Sequence, residues 1–360
     1  MVEKVKEPGN VRNPNYKMNP LNIGNDNLSI INGDGNVWVQ GLNEYCQLGL
    51  DTETKKIQIP TQVPNLCQIM SVATGQHHTL FLGFNGCVWS CGKGFCGQLG
   101  LGQKQKTKTP EIVPNLPSIV KIQAGCLHSL FLDDSDSVWC CGDNFLGQLG
   151  IEGVTEKVKN QEMVPIKNTS LPQIKDISAG HYYSLFLDIE GNVWGAGDNQ
   201  NSQLGMENVG KYRQTKKTSL TRIKQISAGE RFTLFLDLDG AVWGCGSFVI
   251  PIPIPTRIGN SLPPIQTVMA TKSILLALDV EGKVWVTESP STQDFSQLDI
   301  PSVTNVFAKY RHILLLDVEG TVWRMGGLGH EFTKSLEIVT DVPKIYHIPA
   351  SRTKSARNFV

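Results

Sequence analysis

A Val-Trp pair recurs seven times along the 360-residue chain and accounts for every tryptophan that the chain contains. Successive tryptophans stand 51, 50, 55, 49, 42 and 38 residues apart, a period typical of propeller blades rather than of helical repeats. A closed ring of seven such units is one domain, although the length alone would suggest two or more. The tryptophans, predicted to form the structural core of the repeats, are Trp38, Trp89, Trp139, Trp194, Trp243, Trp285 and Trp323.

The fourth repeat is complete and shows the pattern of one unit. Its apolar runs are Ile-x-x-Ile-x-Ala-Gly from Ile174, Ser-Leu-Phe-Leu-Asp from Ser184 and Val-Trp-Gly-Ala-Gly from Val193. Short β-branched and aromatic runs bounded by glycine and acidic residues predict strands joined by hairpins. A further extended segment precedes the Ile-x-x-Ile run, over residues 57–63, 109–113 and 163–166 in three repeats. The sequence therefore predicts an all-β fold, a seven-bladed β-propeller of four-stranded blades.

Residues 1–17 are predicted to form a polar N-terminal extension and residues 18–360 a single propeller domain. A propeller that does not close leaves an open sheet edge. Residues 345–350 begin an eighth half-copy of the repeat, and we expect them to pair with residues 28–31, so that the N- and C-terminal segments close the ring. Residues 18–24 carry the same pattern and compete for that place.

Two motifs at fixed spacing make the repeat specific. In the third repeat, Ala124-Gly-x-x-His128-Ser-Leu-Phe-Leu precedes Trp139-Cys-Cys-Gly-Asp-Asn-Phe-Leu-Gly-Gln-Leu-Gly150. This pair closely resembles the repeat of the regulator of chromosome condensation family. The resemblance implies a seven-bladed propeller, a fold reused for nucleotide exchange on small GTPases, chromatin binding, ubiquitin-ligase targeting, light sensing and enzyme inhibition. Fold alone therefore does not settle function.

Composition argues against several classes of protein. A formal net charge of zero disfavours a protein built mainly to coat nucleic acid or membranes. No signal peptide or membrane-length apolar run is recognisable, so we expect an intracellular protein of the cytoplasm or nucleus. Nine cysteines cannot all pair, and their spacing fits no zinc module. No catalytic constellation, phosphate loop or metal motif appears, which predicts a protein that is not an enzyme and needs no cofactor.

One repeat position, the start of the predicted second strand, holds histidine in three copies and other residues elsewhere. Since aromatic and aliphatic residues replace the histidine, a packing role is favoured over metal or proton chemistry. His77 and His181 lie beside or near this position and are candidates to face the channel mouth. The residues at the position itself are His78, His128, Tyr183, Phe232, Ile274 and His312.

Charge is distributed unevenly between two kinds of turn. The hairpin before each Val-Trp carries 12 of the 33 acidic residues, whereas the loop after Gln-Leu-Gly is rich in lysine and arginine. Connections alternate between the two faces of an up-and-down blade, so one hypothesis is an acidic face and a partly basic arc over blades one to four on the other. The alternative is that solvated turns simply favour aspartate, glycine and lysine. Tyr45, Phe95 and Phe145 lie in the loops leading to Gln-Leu-Gly, where an interface would need aromatic anchors; a packing role is the alternative. The basic candidates for partner binding are Lys104, Lys106, Lys108, Lys157, Lys159, Lys211 and Arg213.

These features predict a monomeric protein-protein interaction module, and the resemblance makes a regulator or guanine nucleotide exchange factor of a small GTPase the sharpest version. The alternatives are a scaffold, substrate-targeting or inhibitor module that acts by occlusion, and a chromatin- or nucleic-acid-associated protein. The founding family member exchanges nucleotide with a wedge projecting from one blade. The largest insertion in this sequence is a gain of a few residues around 151–163, with no obvious long wedge.

Overall fold

The computed structural model describes residues 19–24, 27–151, 161–247, 251–272, 274–287, 294–310, 312–326 and 336–340. These residues form seven antiparallel sheets of four strands each, and each sheet consists of strands consecutive in the chain. The predicted seven-bladed β-propeller is therefore confirmed. None of the described segments is a helix long and apolar enough to cross a membrane.

Every blade runs from an inner strand at the central channel to an outer strand at the rim. The inner strands are β1 (Leu21–Ile23), β5 (Ile69–Thr74), β9 (Ile119–Ala124), β13 (Ile174–Ala179), β17 (Ile223–Ala228), β21 (Ile265–Ala270) and β25 (Val303–Lys309). The second strands are β2 (Asn27–Ile31), β6 (His78–Gly83), β10 (His128–Asp133), β14 (Tyr183–Asp188), β18 (Phe232–Asp237), β22 (Leu275–Asp279) and β26 (His312–Asp317).

The third strands contain the tryptophans, and the outer strands include the three extended segments predicted from the sequence. The third strands are β3 (Val37–Leu42), β7 (Val88–Lys93), β11 (Val138–Asp143), β15 (Val193–Asp198), β19 (Val242–Ser247), β23 (Val284–Thr287) and β27 (Val322–Met325). The outer strands are β4 (Lys56–Gln62), β8 (Lys106–Ile112), β12 (Gln161–Lys167), β16 (Lys211–Lys217), β20 (Pro251–Ile258), β24 (Phe295–Gln297) and β28 (Leu336–Ile338).

This up-and-down order gives the ring two faces with different connections. The hairpins between second and third strands lie on one face, which we call the hairpin face. The connections from inner to second strands and from third to outer strands lie on the opposite face, which we call the loop face. The candidate binding loops of the sequence analysis therefore share the loop face with the turns at the channel mouth.

The core lies between neighbouring blades. One cluster combines Leu80 and Leu82 of blade two with Ile119 and Phe131 of blade three, and Trp139 packs against it from the third strand. Full burial of one such side chain contributes about 1.5–3 kcal/mol. The seven indoles are half-buried rather than fully enclosed, and six of them, all except that of Trp38, pack against an interblade cluster.

The innermost strand of blade one comes from the N-terminal segment. β1 pairs with β2 through Leu21 opposite Ile30 and Ile23 opposite Leu28, and β3 takes the other edge of β2. Because β1, which lies in the competing segment 18–24, and β3 occupy both edges of β2, the expected pairing of residues 28–31 with the C-terminal half-copy is wrong. Residues 345–350 lie outside the described part of the chain, as do residues 1–18. Blade one also packs on Leu314 and Leu316 of blade seven, where the ends of the ring meet.

An aspartate six residues before the tryptophan anchors five of the seven indoles. In blade six, Asp279 accepts the Trp285 indole N–H at 2.9 Å and the backbone N–H groups of Glu281 and Lys283 at 2.9 Å each. Burial alone would raise the pKa of Asp279, but these hydrogen bonds outweigh it and leave the pKa lowered. The same indole–carboxylate bond joins Trp139 to Asp133, Trp194 to Asp188, Trp243 to Asp237 and Trp323 to Asp317.

The position predicted to have a packing role links blades two to four in series. The Ser129 hydroxyl donates to the Gln98 carbonyl at 2.7 Å, so it accepts the Nε2–H of His78, 3.0 Å away. Blade three repeats this arrangement with His128 and Ser184. Burial, followed by the charge of Lys309, lowers the pKa of both His78 and His128 to about 3. These imidazoles are therefore neutral, buried structural groups.

The aromatic side chain that begins the second strand also requires the glycine of the Ala-Gly motif. A Cβ added at Gly125 would lie 2.1 Å from Cε1 of His128, which is closer than real contacts allow. Gly75 and Gly180 stand in the same relation to His78 and Tyr183. The cysteines that follow the tryptophans also have a packing role, because Cys91, Cys141 and Cys245 are fully buried. Burial raises the pKa of all three thiols, and all nine cysteines are free.

Candidate functional site

The Gln-Leu-Gly loops of blades one to four share one rigid geometry on the loop face. Each glutamine is buried, and its Oε1 accepts the backbone N–H two residues earlier, at 2.9 Å from Gln47 to Tyr45 and 2.9 Å from Gln98 to Cys96. The backbone carbonyl of the glutamine accepts a hydrogen bond from a hydroxyl of the next blade, as when the Thr79 hydroxyl donates to the Gln47 carbonyl at 2.6 Å. The glutamines are therefore structural, whereas Phe95 and Phe145, three residues before two of them, are exposed.

A cluster of three rings and one cation lies where the loops of blades one and two meet. The rings of Tyr45 and His77 stand 4.4 Å apart, and Nζ of Lys93 lies 4.7 Å from the Tyr45 ring and 5.6 Å from the Phe95 ring. Phe95 is 51% exposed, whereas Tyr45 is half-buried. Burial first, and the charge of Lys93 second, lower the pKa of His77, so the imidazole is neutral at pH 7. We call these four residues the aromatic cluster.

A smaller pair of the same kind lies between blades three and four. Phe145 is 52% exposed, and Nζ of Lys211 lies 4.8 Å from its ring. Phe145 occupies the loop position of Phe95, whereas Tyr45 stands one residue further along, since Gln47 follows it by two residues and Gln98 follows Phe95 by three. The three predicted aromatics thus fall in two different positions, and only Phe95 and Phe145 project as exposed rings.

The basic arc is neutralised only in part where it is described. Lys104 pairs with Glu111, and Glu53 lies 3.7 Å from Lys106 and 2.6 Å from Lys108. A hydrogen bond with Glu53 raises the pKa of Lys108, and the same bond lowers the pKa of Glu53. Lys211 and Arg213 are exposed on the outer strand of blade four, away from these pairs. Lys157 and Lys159 lie outside the described residues, as does most of the insertion around 151–163.

The hairpin face is only partly the acidic surface expected from the sequence. Five of its 12 acidic residues are the aspartates that accept a tryptophan N–H, so their charge is used inside the fold. Exposed aliphatic side chains, which the sequence analysis missed, stand beside four of them. These are Ile189, Leu238, Val280 and Val318, in blades four to seven.

The central channel holds a cavity of about 360 Å³ lined by the inner strands and the turns at the loop-face mouth. Its described lining includes three lysines and two acids. Lys121 pairs with Asp176, and Lys272 lies 2.9 Å from Glu230, while Lys309 reaches the carbonyls of Thr74 and, at 2.7 Å, Ala124. His181 lies in this lining, as anticipated, but His77 packs on Tyr45 instead. No group of three or more potential metal ligands occurs among the residues described.

Sequence reasoning missed the two cations that stand out in the structure. Lys93 follows the third-strand glycine, at the position where blades three and four have Asp143 and Asp198. Lys309 occupies the glycine position of the Ala-Gly motif, which Gly125 fills in blade three. Comparing the repeats column by column would have revealed Lys309, which departs from a column that is mostly glycine. The column of Lys93 is mixed, with Leu42 in blade one and Ser247 in blade five, so it gives no such signal.

Seven four-stranded antiparallel sheets arranged in a ring define a β-propeller. Two sequence profiles described as the regulator of chromosome condensation (RCC1) repeat match it, one over residues 34–82, 85–132 and 135–187, the other over residues 69–98, 119–148, 174–203 and 223–248. Together they cover more than half of the chain. The chain belongs to the RCC1-repeat family.

Its curated relatives match over limited segments. Human Protein RCC2 is 39% identical over 77 residues, which is 21% of this chain and 15% of that protein. The X-linked retinitis pigmentosa GTPase regulator of Canis lupus familiaris is 31% identical over 191 residues, 52% of this chain and 14% of that protein. The Secretion-regulating guanine nucleotide exchange factor of Bos taurus is 38% identical over 80 residues, 22% of this chain and 17% of that protein. The matches thus span a small part of each relative's length.

Among solved structures, Prp20p of Saccharomyces cerevisiae superimposes with a TM-score of 0.74 at 20% identity, over 90% of this chain and 87% of that one. The structure of Prp20p was reported together with its binding properties to Gsp1p and histones. Human WBSCR16 gives a TM-score of 0.72 at 18% identity, over 82% of this chain and 85% of that one. At these identities the similarity establishes the shared fold.

Proposed function

We propose that this chain is a non-enzymatic, monomeric binding propeller of the cytoplasm or nucleus that regulates a small GTPase through the loop face of blades one to four. Residues 18–360 form its single domain in this proposal. The observation that carries it is the aromatic cluster, in which an exposed phenyl ring and a lysine without a carboxylate partner among the described residues stand on a pinned loop. Aromatic and cationic side chains of this kind are enriched among the residues that dominate binding energy at interfaces.

The partner class rests on relatives and on charge. Two relatives are named as a GTPase regulator and a guanine nucleotide exchange factor. Lys104, Lys106 and Lys108 are paired with acids, which leaves less positive charge for contacts with phosphate groups and favours a protein partner over nucleic acid. No residue of this chain is assigned a role in nucleotide exchange, because no counterpart of the family's wedge is identified among the described residues.

The test begins with the double variant Phe95→Ser/Phe145→Ser and a matched control, Leu238→Ser/Val280→Ser. The control removes two side chains of 58% and 65% exposure from the hairpin face. A GTPase recovered from cell lysate by the wild-type protein is then purified, and its Kd is measured with each variant. Loss of one interface aromatic costs about 2 kcal/mol or more, so the loop-face variant should bind at least tenfold more weakly.

Release of a fluorescent guanine nucleotide from the purified GTPase separates the versions of the proposal. A faster release rate with wild-type protein identifies an exchange factor, and binding with an unchanged rate identifies a scaffold or inhibitor. Recovery of no GTPase, or loss of binding in the hairpin-face variant while the loop-face variant binds normally, would refute the proposed function.

A further inference from the structure

Lys309 breaks the repeat at a position where the fold prefers glycine. Blades one to five carry a glycine directly after the inner strand, and blade six carries Thr271. In blades two to four, a Cβ at that glycine would collide with the ring that begins the second strand. Blade seven instead carries Lys309 at this position. The next residue, Tyr310, has a φ of 54°, a left-handed conformation that is uncommon for a residue other than glycine.

The side chain of Lys309 crosses the channel instead of lying along its own blade. Its ammonium donates to the carbonyl of Thr74 in blade two and, at 2.7 Å, to the carbonyl of Ala124 in blade three. These are the last residues of their inner strands, so the ammonium lies at the loop-face end of the channel. The two described hydrogen bonds use two of its three N–H groups.

The ammonium has no counter-ion in the described part of the chain. The two acids of the lining are already engaged, Asp176 by Lys121 and Glu230 by Lys272. With three lysines against two acids, the described lining keeps one excess positive charge, which is located on Lys309. Burial lowers the pKa of Lys309 to about 8, and Cys126 is the described group that opposes this shift. Burial raises the pKa of that thiol to about 12, so it supplies no negative charge at neutral pH.

We propose that the channel mouth is a binding site for a small anion that carries a carboxylate, sulfate or phosphate group, with the Lys309 ammonium as its main ligand. The cavity of about 360 Å³ has the volume of a small-molecule site. Lys309 is half-buried, so its unpaired charge is only partly hydrated. An anion in the channel supplies the missing partner without displacing either lining ion pair. The site is separate from the aromatic cluster and does not depend on the GTPase proposal.

Sulfate is the best first probe because its charge is constant over the pH range in which Lys309 titrates. Calorimetric titration with sulfate, at constant ionic strength in chloride, should show one site per chain at pH 7. Succinate tested in the same way shows whether a carboxylate ligand is preferred. Keeping the anion at millimolar concentration avoids the general stabilisation that excluded salts produce.

The variant Lys309→Met keeps the length of the side chain and removes its charge, and it should weaken anion binding at least tenfold. Lys216→Met removes a charge from an exposed position on the outer strand of blade four and should bind as the wild type does. Lys309→Arg, which keeps the cation, should retain most of the affinity. For the wild-type protein, raising the pH from 7 to 9.5 should weaken binding at least tenfold, because the ammonium loses its proton near pH 8.

The measurement of wild-type binding at pH 7 and 9.5 still tests the proposal if Lys309→Met does not fold. The other groups at the mouth are His181, whose pKa is lowered by burial, Tyr310, whose pKa is raised by burial, and the Glu230–Lys272 pair. A wild-type protein that binds neither probe above the chloride reference, or a folded Lys309→Met variant with unchanged affinity, would overturn the proposal. In either case Lys309 serves only to brace blade seven against blades two and three.

Discussion

Replacing Asp279 by alanine tests whether the indole–carboxylate bond holds each hairpin in place. The carboxylate is 2% exposed and accepts three hydrogen bonds, from the Trp285 indole and two backbone N–H groups. A hydrogen bond to a charged group contributes about 1.5–3 kcal/mol, but water can reach the hairpin N–H groups once the carboxylate is gone. We therefore expect Asp279→Ala to lower the free energy of unfolding by about 2–4 kcal/mol, a large share of the roughly 5–15 kcal/mol of a typical domain.

Blade one shows what the milder change Asp279→Asn should do. There Asn32 accepts the backbone N–H groups of Asp34 at 3.1 Å and Asn36 at 2.9 Å, while the buried Trp38 Nε1 has no hydrogen-bond acceptor among the described residues. An asparagine thus keeps the turn and loses only the indole bond, so Asp279→Asn should cost about 1–2 kcal/mol. Urea denaturation followed by far-ultraviolet circular dichroism measures both values.

Glu281→Gln is the matched control, because it removes an exposed acid from the same hairpin. It should unfold at the urea concentration of the wild type. If Asp279→Ala and Glu281→Gln unfold together, the carboxylate does not anchor the hairpin and the reasoning fails.

Two further predictions concern the hairpin of blade one and the buried histidines. Asn32→Asp should raise the free energy of unfolding by about 0.5–1 kcal/mol, because it gives Trp38 the acceptor that five other blades have, and an unchanged or lower urea midpoint would contradict this. Stability should also fall as the pH drops from 6.5 towards 3, because His78 and His128 are neutral in the folded state with a pKa of about 3, whereas the unfolded chain binds their protons below 6.5. The slope is about 1 kcal/mol per pH unit for each histidine, and His78→Phe/His128→Phe, which introduces the side chain found at Phe232, should reduce it in urea titrations between pH 4.5 and 7. An identical slope in the double variant would show that these histidines are not held neutral.

The fold could be predicted from the sequence because the repeat supplies it seven times. The tryptophan period gave the blade count, and the alternation of short apolar runs with turn residues gave the four strands. The packing role of His78 also followed from the sequence alone, since Phe232 and Ile274 fill the same position. The Asp–Trp bond was readable as a six-residue spacing, but the aspartates were interpreted as surface charge because acidic residues are common in turns.

The candidate site was less predictable because its contacts join different blades. The ion pairs of Glu53 with Lys106 and Lys108 connect the outer loop of blade one to the outer strand of blade two. Sequence position gives no distance between these groups, so the lysines were expected to carry free charge. The aromatic cluster is similar, since Tyr45 and His77 are 32 residues apart in the chain and in ring contact in the fold.

The hydroxyl groups that bind the glutamine carbonyls have a consequence for recognition. Thr79, Ser129, Ser184 and Thr233 each belong to the blade that follows the loop they hold, at 2.6 to 2.7 Å. Every Gln-Leu-Gly loop is thereby fastened at both its own blade and the next one, before any partner arrives. Docking on these loops then freezes little additional backbone motion, so more of the contact energy remains as affinity.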